Sequence, residues 1–436
     1  MTSSTPIHDK SVFGNCRFCG TRLERTFVDL GMSPLCESYV GPEAINHPET
    51  VYPLHALICE KCLLVQLDEY VSPGEIFSDY AYFSSYSDSW LAHSKRYTDL
   101  MVERFGLNAR SQVMEIASND GYLLQYFVKK GIPVLGIEPA ANVAETAVGK
   151  GVPTTVRFFG VDTARALREE KTAESLGTTP DGADLLLGNN VLAHVPDIND
   201  FVAGMKILLK PDGVITMEFP HLLRLMEENQ FDTIYHEHFS YLSLHVVEKI
   251  FAHHGLTLFE VEELSTHGGS LRIYARHEED DSKPVGPRVA KLKAVEERAG
   301  LLDLATYSAF SEQVKVTKWK LLEFLIEANR SGKQVAGYGA PGKGNTLLNH
   351  CGIRTDLLSY TVDRSPHKQG KYLPGTRIPI YHPDRIRETK PDYVVILPWN
   401  LKDEIMEQMA FISEWGGRFV VPIPEVQVCD PLESKA

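Results

Sequence analysis

No apolar run in these 436 residues approaches the ~20 residues that cross a bilayer, and the first residues lack the basic start, apolar middle and small-residue cleavage site of a secretion signal. The expectation is a soluble cytoplasmic protein that does not act on membranes. Positive charge is in deficit, with 44 Lys and Arg against 58 Asp and Glu and a formal net charge of −14. That excludes a sequence-independent grip on nucleic acid, which needs clustered cations. It leaves room for a local basic pocket that receives an anionic small molecule. Seven cysteines are too few for a disulfide scaffold. There is no low-complexity segment and no short-period repeat. What remains is ordinary globular composition, 43% hydrophobic and 23% charged, with length for two or three domains.

Four of the cysteines are paired, as Cys16-x-x-Cys19 and Cys59-x-x-Cys62. A two-residue spacer lets both thiolates of a turn point at one metal, and two such turns close a tetrahedral shell. A shell with no open position is structural, so these four residues are read as ligands of a structural Zn2+. Redox cysteines are the alternative. The stretch between the pairs is longer than in a minimal ribbon and accommodates an inserted loop. Cys36, Cys351 and Cys429 are scattered and read as small core or surface residues. An aromatic-rich segment follows, with Phe77, Tyr80, Tyr82, Phe83, Tyr86 and Trp90. Ser87 is placed to cap a helix that runs through Trp90 and Tyr97.

From about residue 110 strands and helices alternate, which argues for a parallel sheet covered on both faces. Strands are expected at Val113–Ala117, Val134–Glu138, Ala183–Leu187 and Val214–Phe219, with a weaker one at Thr154–Arg157. Helices are expected at Gly121–Lys130 and Asn142–Lys150. Residues 244–254 form an amphipathic helix with Ser243 as its cap, ended by Gly255. Leu256–Val261 and Leu271–Ala275 read as further strands. The Leu-, Ala-, Lys- and Glu-rich stretch 286–330 reads as helical. Beyond it the alternation returns, at Val335–Tyr338, Leu357–Val362 and Tyr393–Leu397. The expected organisation is α/β: a zinc-binding module (1–72), a central Rossmann-like domain (73–285), a helical connector (286–330) and a smaller Rossmann-like domain (331–436).

The run Val113-Met-Glu-Ile-Ala-Ser-Asn-Asp-Gly-Tyr122 is a buried strand, a tight turn and a helix start. Such a turn lets backbone approach a cofactor. Two positions that are usually glycine in S-adenosylmethionine (SAM) methyltransferases hold Ala117 and Asn119 here, and Gly121 remains. Alanine is small and asparagine tolerates a left-handed backbone. The next strand ends at Glu138, placed to accept hydrogen bonds from ribose hydroxyls. Asn189 and Asn190 follow the fourth strand, ahead of His194, and Leu209-Lys-Pro-Asp-Gly213 precedes the fifth. This ordered set is similar to class I methyltransferases. It gives Glu115, Ala117, Ser118, Asn119, Gly121, Glu138, Asn189 and Asn190 as residues around SAM. A nicotinamide-binding Rossmann domain is the alternative.

After the fifth strand comes Tyr235-His-Glu-His-Phe-Ser-Tyr241, at the carboxyl end of the sheet where α/β folds build their sites. Tyr235, His236, Glu237 and His238 are consecutive proton-transferring side chains, and histidine suits acid–base work near neutral pH. The spacing is not that of a helical metal motif. Further on, Gly337-Tyr-Gly-Ala-Pro-Gly-Lys-Gly344 ends one strand and opens a helix. Its amides suit an anion, with Lys343 adding charge, or it is a tight turn without a ligand.

Across nearly its whole length the chain resembles the C-methyltransferases of nucleotide-activated deoxysugars. The resemblance rests on the four paired cysteines, the EIASNDG run, the YHEHFSY loop, the stretch Gly268–Arg272 and the GYGAPGKG turn. It implies a TDP-4-keto-6-deoxyhexose substrate, methylated at C-3 through an enolate, with C-5 open as the other carbon beside the ketone. It implies His238 as the base, Tyr235 and Glu237 around the sugar or the enolate, Tyr82 reaching in from the N-terminal segment, and His194 facing the sugar. Carbon is a poor nucleophile unless enolised, so a base and oxyanion donors are required, and no catalytic metal is. Competing readings are a SAM methyltransferase acting on oxygen or nitrogen, an oxidoreductase using Gly337–Gly344, and a zinc-ribbon interaction protein without catalysis. A monomer is the simplest assembly, with no state fixed by sequence.

Overall fold

A computed structural model describes residues 14–72, 74–75 and 83–431. Its central sheet has seven strands, edge to edge Leu256–Leu264, Ser270–His277, Leu209–Pro220, Ala183–Asn189, Val113–Ile116, Val134–Ile137 and Thr154–Thr155. The last five are mutually parallel, and Ser270–His277 runs antiparallel to both of its neighbours. Val113–Ile116 and Val134–Ile137 are buried at every position, as strands covered on both faces must be. Every strand expected in this region is present. The Leu-Lys-Pro-Asp-Gly turn is a bulge instead: Ala183 pairs with Leu209 and Leu185 with Val214. The residues between lie outside the ladder, although the strand itself continues from Leu209 to Pro220.

The helix Asp88–Phe105 begins where Ser87 accepts from the Trp90 amide at 3.3 Å, and Ser243 caps Leu244–His253 in the same way through the Val246 amide. The helix expected over 121–130 is shorter, Leu124–Val128. Its first residues are spent on the preceding turn, where Ala117, Asn119 and Gly121 have φ of 55°, 48° and 74°. Alternate left-handed residues make the chain reverse within a few bonds. Alanine bears a steric cost there that glycine does not.

The N-terminal module is a four-stranded sheet in the order Arg25–Ser33, Tyr52–Ile58, Val65–Gln66 and Ser240–Tyr241. Its fourth strand comes from the YHEHFSY loop: Val65 pairs with Tyr241 and Gln66 with Ser240. The Leu67 amide also donates to the Phe239 carbonyl at 3.0 Å. The four paired thiols converge at the other end of Val65–Gln66. Their sulfur atoms lie within 4.8 Å of one another, with Cys16–Cys62 and Cys19–Cys59 each at 3.5 Å. A tetrahedral zinc with roughly 2.3 Å bonds needs sulfurs about 3.8 Å apart, so the cluster has the size of a Zn2+ shell. Gln66 binds back to the knuckle, accepting from the Arg17 amide at 2.9 Å and reaching the Cys16 sulfur at 3.3 Å. Asn199 holds the knuckle from the central domain, donating to the Arg17 and Phe18 carbonyls.

Two helices, Pro287–Arg298 and Leu304–Arg330, lead to the C-terminal sheet. Its order is Ile380–Tyr381, Thr361–Val362, Val335–Tyr338, Tyr393–Ile396, Arg418–Val421 and Gln427–Cys429, with only the last strand antiparallel. One apolar core joins this sheet to the outer face of the N-terminal sheet and to Phe231 and Ile234. The N-terminal and C-terminal sheets thus close on the same loop. Among the described residues no helix is long and apolar enough to cross a membrane.

Removing Zn2+ with a chelator, or replacing Cys62 with serine, is expected to speed amide exchange at 239–241 well before the central sheet opens, as read by hydrogen–deuterium exchange mass spectrometry. Ala117→Gly should raise unfolding free energy by roughly 0.5–1 kcal/mol, since the left-handed penalty at this residue disappears; equilibrium urea denaturation measures it.

Candidate functional site

The expected cofactor residues surround the left-handed turn. Both Glu138 oxygens accept backbone hydrogen bonds, from the Asn119 and Ala140 amides, each at 2.9 Å. Each oxygen retains a second acceptor direction for a hydroxyl, and burial raises the Glu138 pKa. Asn189 donates to the Tyr122 hydroxyl at 3.4 Å. Asn190 has φ of 54°, with its amide on the Glu218 carbonyl at 2.7 Å. Glu115 is wholly buried beneath the turn, and burial pushes its pKa well up while the Tyr122 hydroxyl opposes. The Ser118 hydroxyl, Asp120 Oδ1 and Asn190 Oδ1 are buried with no protein partner among the described residues. Orphaned polar atoms cost about 1–3 kcal/mol each, so their placement in this turn and at the end of the adjacent strand Ala183–Asn189 fits a polar ligand such as SAM. The segment after Phe83 closes over them: the Ser84 amide binds Asn119 Oδ1 at 2.9 Å, and Trp90 stacks on Tyr122 at 5.9 Å.

Beyond this turn, side chains of both Rossmann-like parts approach one another, close enough for Lys343 to lower the pKa of His238 and His267. Tyr235, His238 and His194 share one corner. Ring centroids of Tyr235 and His238 are 4.0 Å apart, and those of His194 and His238 are 4.6 Å apart and nearly perpendicular. The Phe239 amide donates to the Ala193 carbonyl at 2.8 Å, which ties the loop to the residue before His194. His238 Nδ1 lies 2.8 Å from the Thr233 carbonyl. A carbonyl only accepts, so Nδ1 carries the proton and Nε2 keeps its lone pair. Burial brings the His238 pKa down to about 4, against the Thr233 contact and with help from His267 and Lys343. His194 is driven well below its usual value by burial and by His238.

The neighbouring residues of the loop point elsewhere. His236 is buried against the N-terminal sheet, 3.2 Å from the Pro53 carbonyl and edge-on to Tyr52. Glu237 is buried too, its Oε1 3.8 Å from the Cys36 sulfur. Burial and the nearby Glu37 push its pKa up to about 8, so it is protonated at neutral pH. Cys36, read from sequence as incidental, therefore packs against a site residue. Tyr82, Tyr80 and Phe77 lie outside the described residues.

The C-terminal sheet contributes in a way that its motif did not suggest. Carboxylates of the chain itself occupy the amides around GYGAPGKG: Asp363 Oδ2 takes the Ala340 amide at 2.7 Å, and Glu37 takes the Gly342 amide. The Lys343 side chain is the cation of this turn. Its ammonium stands 4.5 Å over the Trp399 ring and donates to Asn400 Oδ1 at 2.8 Å. Trp399 in turn donates to buried Asp232 at 2.8 Å. Sequence reasoning also missed His93, Glu218 and His267, and had Arg272 only as the end of the stretch Gly268–Arg272. Glu218 lies near the end of the fifth strand and holds His93 at 3.0 Å and Arg272 at 2.9 Å. The signal available for this group was an acid at the carboxyl end of a strand, with an arginine across the antiparallel ladder from it.

Known proteins match this architecture part by part. A zinc binding domain family matches residues 16–77, a methyltransferase domain family residues 90–261, and a C-methyltransferase C-terminal domain family residues 265–424. C-methyltransferase NovU of Streptomyces niveus is 37% identical over 413 residues, 95% of this chain and 96% of that protein. Among solved structures, the PH0226 protein of Pyrococcus horikoshii covers 48% of this chain and 99% of its own, at 16% identity and a TM-score of 0.36. A SAM-dependent methyltransferase of Mesorhizobium loti covers 43% of this chain and 100% of its own, at 13% identity and a TM-score of 0.33. A four-thiol metal site, a turn lined with orphaned polar groups and near full-length similarity converge, and the chain belongs to the family of SAM-dependent C-methyltransferases.

Proposed function

We propose that the enzyme methylates a nucleotide-activated 4-keto-6-deoxyhexose, of the TDP-sugar type, at C-3. SAM bound at the 117–121 turn would supply an electrophilic methyl group, so the protein's own task is to make carbon nucleophilic. A proton beside a ketone is the kind a side-chain base can remove, because the electron pair delocalises onto oxygen. The observation that carries this reading is the His238 imidazole. Thr233 orients it, its Nε2 lone pair has no protein partner among the described residues, and it is neutral at pH 7. Tyr235, packed on that ring, orders the sugar against it, and His194 forms the wall opposite. Protonated Glu237 supports the loop from behind, where an ionised carboxylate would face Glu37.

The distinguishing experiment is proton exchange. A TDP-4-keto-6-deoxysugar is incubated with enzyme and S-adenosylhomocysteine in heavy water, and the sugar is followed by NMR. Deuterium entering at C-3 supports the proposal, entry at C-5 moves the methylated carbon, and no enzyme-dependent exchange removes the keto-sugar reading.

His238→Asn is expected to keep SAM binding by calorimetry and to lose transfer by roughly 100- to 10,000-fold, the usual worth of a general base. Turnover near wild type would take the base role away from His238. The raised pKa of Glu237 gives a pH prediction. The stability that the protonated group contributes is full below the ordinary carboxylate range and is lost as pH rises toward about 8; through about 8, ionisation beside Glu37 lowers activity. Glu237→Gln stays neutral throughout and should flatten the alkaline limb of the kcat profile.

A further inference from the structure

The short turn Thr266–Gly268 and Gly269 that follows it lie between two long antiparallel strands and bring His267 near His238. Three successive residues there have positive φ: His267 at 55°, Gly268 at 86° and Gly269 at 113°. The glycines are obligatory. A Cβ at Gly268 would meet Trp399 and Gln230 at 2.8 Å, and one at Gly269 would meet Arg224 at 2.7 Å. His267 has no such freedom, and a bulky residue in the left-handed region costs on the order of 1–3 kcal/mol unless its surroundings impose it.

The surroundings do. The Thr266 hydroxyl donates to Glu218 Oε1 at 2.9 Å, the Gly269 carbonyl accepts from the His221 amide at 3.0 Å, and Gln230 donates to the Gly268 carbonyl at 2.7 Å. Trp90 packs edge-on to the imidazole at 5.1 Å. Held this way, the imidazole stands out from the turn, and the residue is exposed. Neither ring nitrogen has a protein hydrogen-bond partner among the described residues. Surrounding protein atoms, with Lys343 adding to their effect, lower the His267 pKa below the usual histidine value, so the ring is neutral near pH 7 and carries one N–H. His267 is also close enough to His238 to depress its pKa. Lys343 is engaged with Asn400 and Trp399.

We infer that His267 is a further catalytic residue, whose imidazole N–H hydrogen-bonds the carbonyl oxygen of the substrate while the adjacent carbon loses its proton to His238. The inference rests on the enolate reading above. The C–H bond breaks toward His238 Nε2, its electron pair forms the C=C bond, and the carbonyl π pair becomes the enolate oxygen. His267 donates to that oxygen without giving up its proton, as a neutral imidazole of low pKa does at a developing enolate. A backbone conformation that only a firmly held histidine would adopt is thereby explained as pre-organisation of a donor.

The test uses His267→Gly and His267→Asn in the full-length zinc-loaded enzyme. Both residues accept a left-handed backbone, so folding is expected to survive, and SAM affinity by calorimetry provides the check. His267→Gly should lower both enzyme-catalysed exchange of the sugar proton, measured with S-adenosylhomocysteine, and kcat by on the order of 100-fold, the effect of losing one oxyanion donor. His267→Asn, which restores an N–H, should recover part of both. Unchanged exchange in His267→Gly, or a rise in KM with kcat preserved, would overturn the assignment while leaving the enolate reading intact. Absence of exchange in the wild-type enzyme would overturn both together.

Discussion

The antiparallel pairing of Val65–Gln66 with Ser240–Tyr241 is the contact on which the site depends. It is two residues long, too short to persist in water without support. The four thiols supply that support from one end, because Gln66 is both a member of the pair and a neighbour of Cys16. From the opposite side the C-terminal sheet fixes the start of the same loop. Trp399 binds Asp232 at 2.8 Å, and Thr346 donates to the Ile234 carbonyl at 3.1 Å. The segment carrying Tyr235 and His238 is therefore clamped at both ends by parts of the chain that lie outside the SAM domain. A structural metal at the four thiols would reach this loop through Gln66, as an outer support orients a working residue.

Desolvation sets the chemistry of the site. Loss of water to surrounding protein atoms is the first cause of the shift at His194, His238 and His267, all downward, and at Glu237, upward. All four groups are consequently neutral near pH 7. Neutral imidazoles offer one lone pair and one N–H each, the combination that proton abstraction from carbon needs. The buried charge that remains is paired: Glu218 is held by Arg272 and His93, which keep its pKa low despite burial. Leaving that carboxylate single would cost several kcal/mol, and its pairs also anchor Thr266 and the turn beyond.

Local signals were dependable where the chemistry was local. The Cys-x-x-Cys pairs, the Ser87 and Ser243 caps, and the strands at Val113 and Val134 depend on neighbouring residues and burial periodicity, and the structure has each of them. The 117–121 turn was legible as a tight reversal, although the left-handed state of Ala117 was not, since alanine seldom adopts it. Motifs were less informative about direction. Tyr235, His236, Glu237 and His238 are consecutive in sequence, yet His238 joins Tyr235 and His194 while His236 and Glu237 face other neighbours. Two of the amides of GYGAPGKG, chosen for an anion, those of Gly342 and Ala340, are taken by Glu37 and Asp363.

By itself the sequence determined the elements: a four-thiolate metal site, two alternating α/β segments and a cofactor turn with glycine-like demands. Each follows from spacing and backbone sterics over a few residues. Tertiary structure alone decided which side chains meet. It brought His267, some 30 residues beyond His238 in the chain, near it, and it set Lys343 and Trp399 against Asp232. The reason is physical. A hydrogen-bond partner or a shifted pKa depends on what packs within a few ångströms, and those neighbours come from strands whose order in the sheets is not their order in the chain.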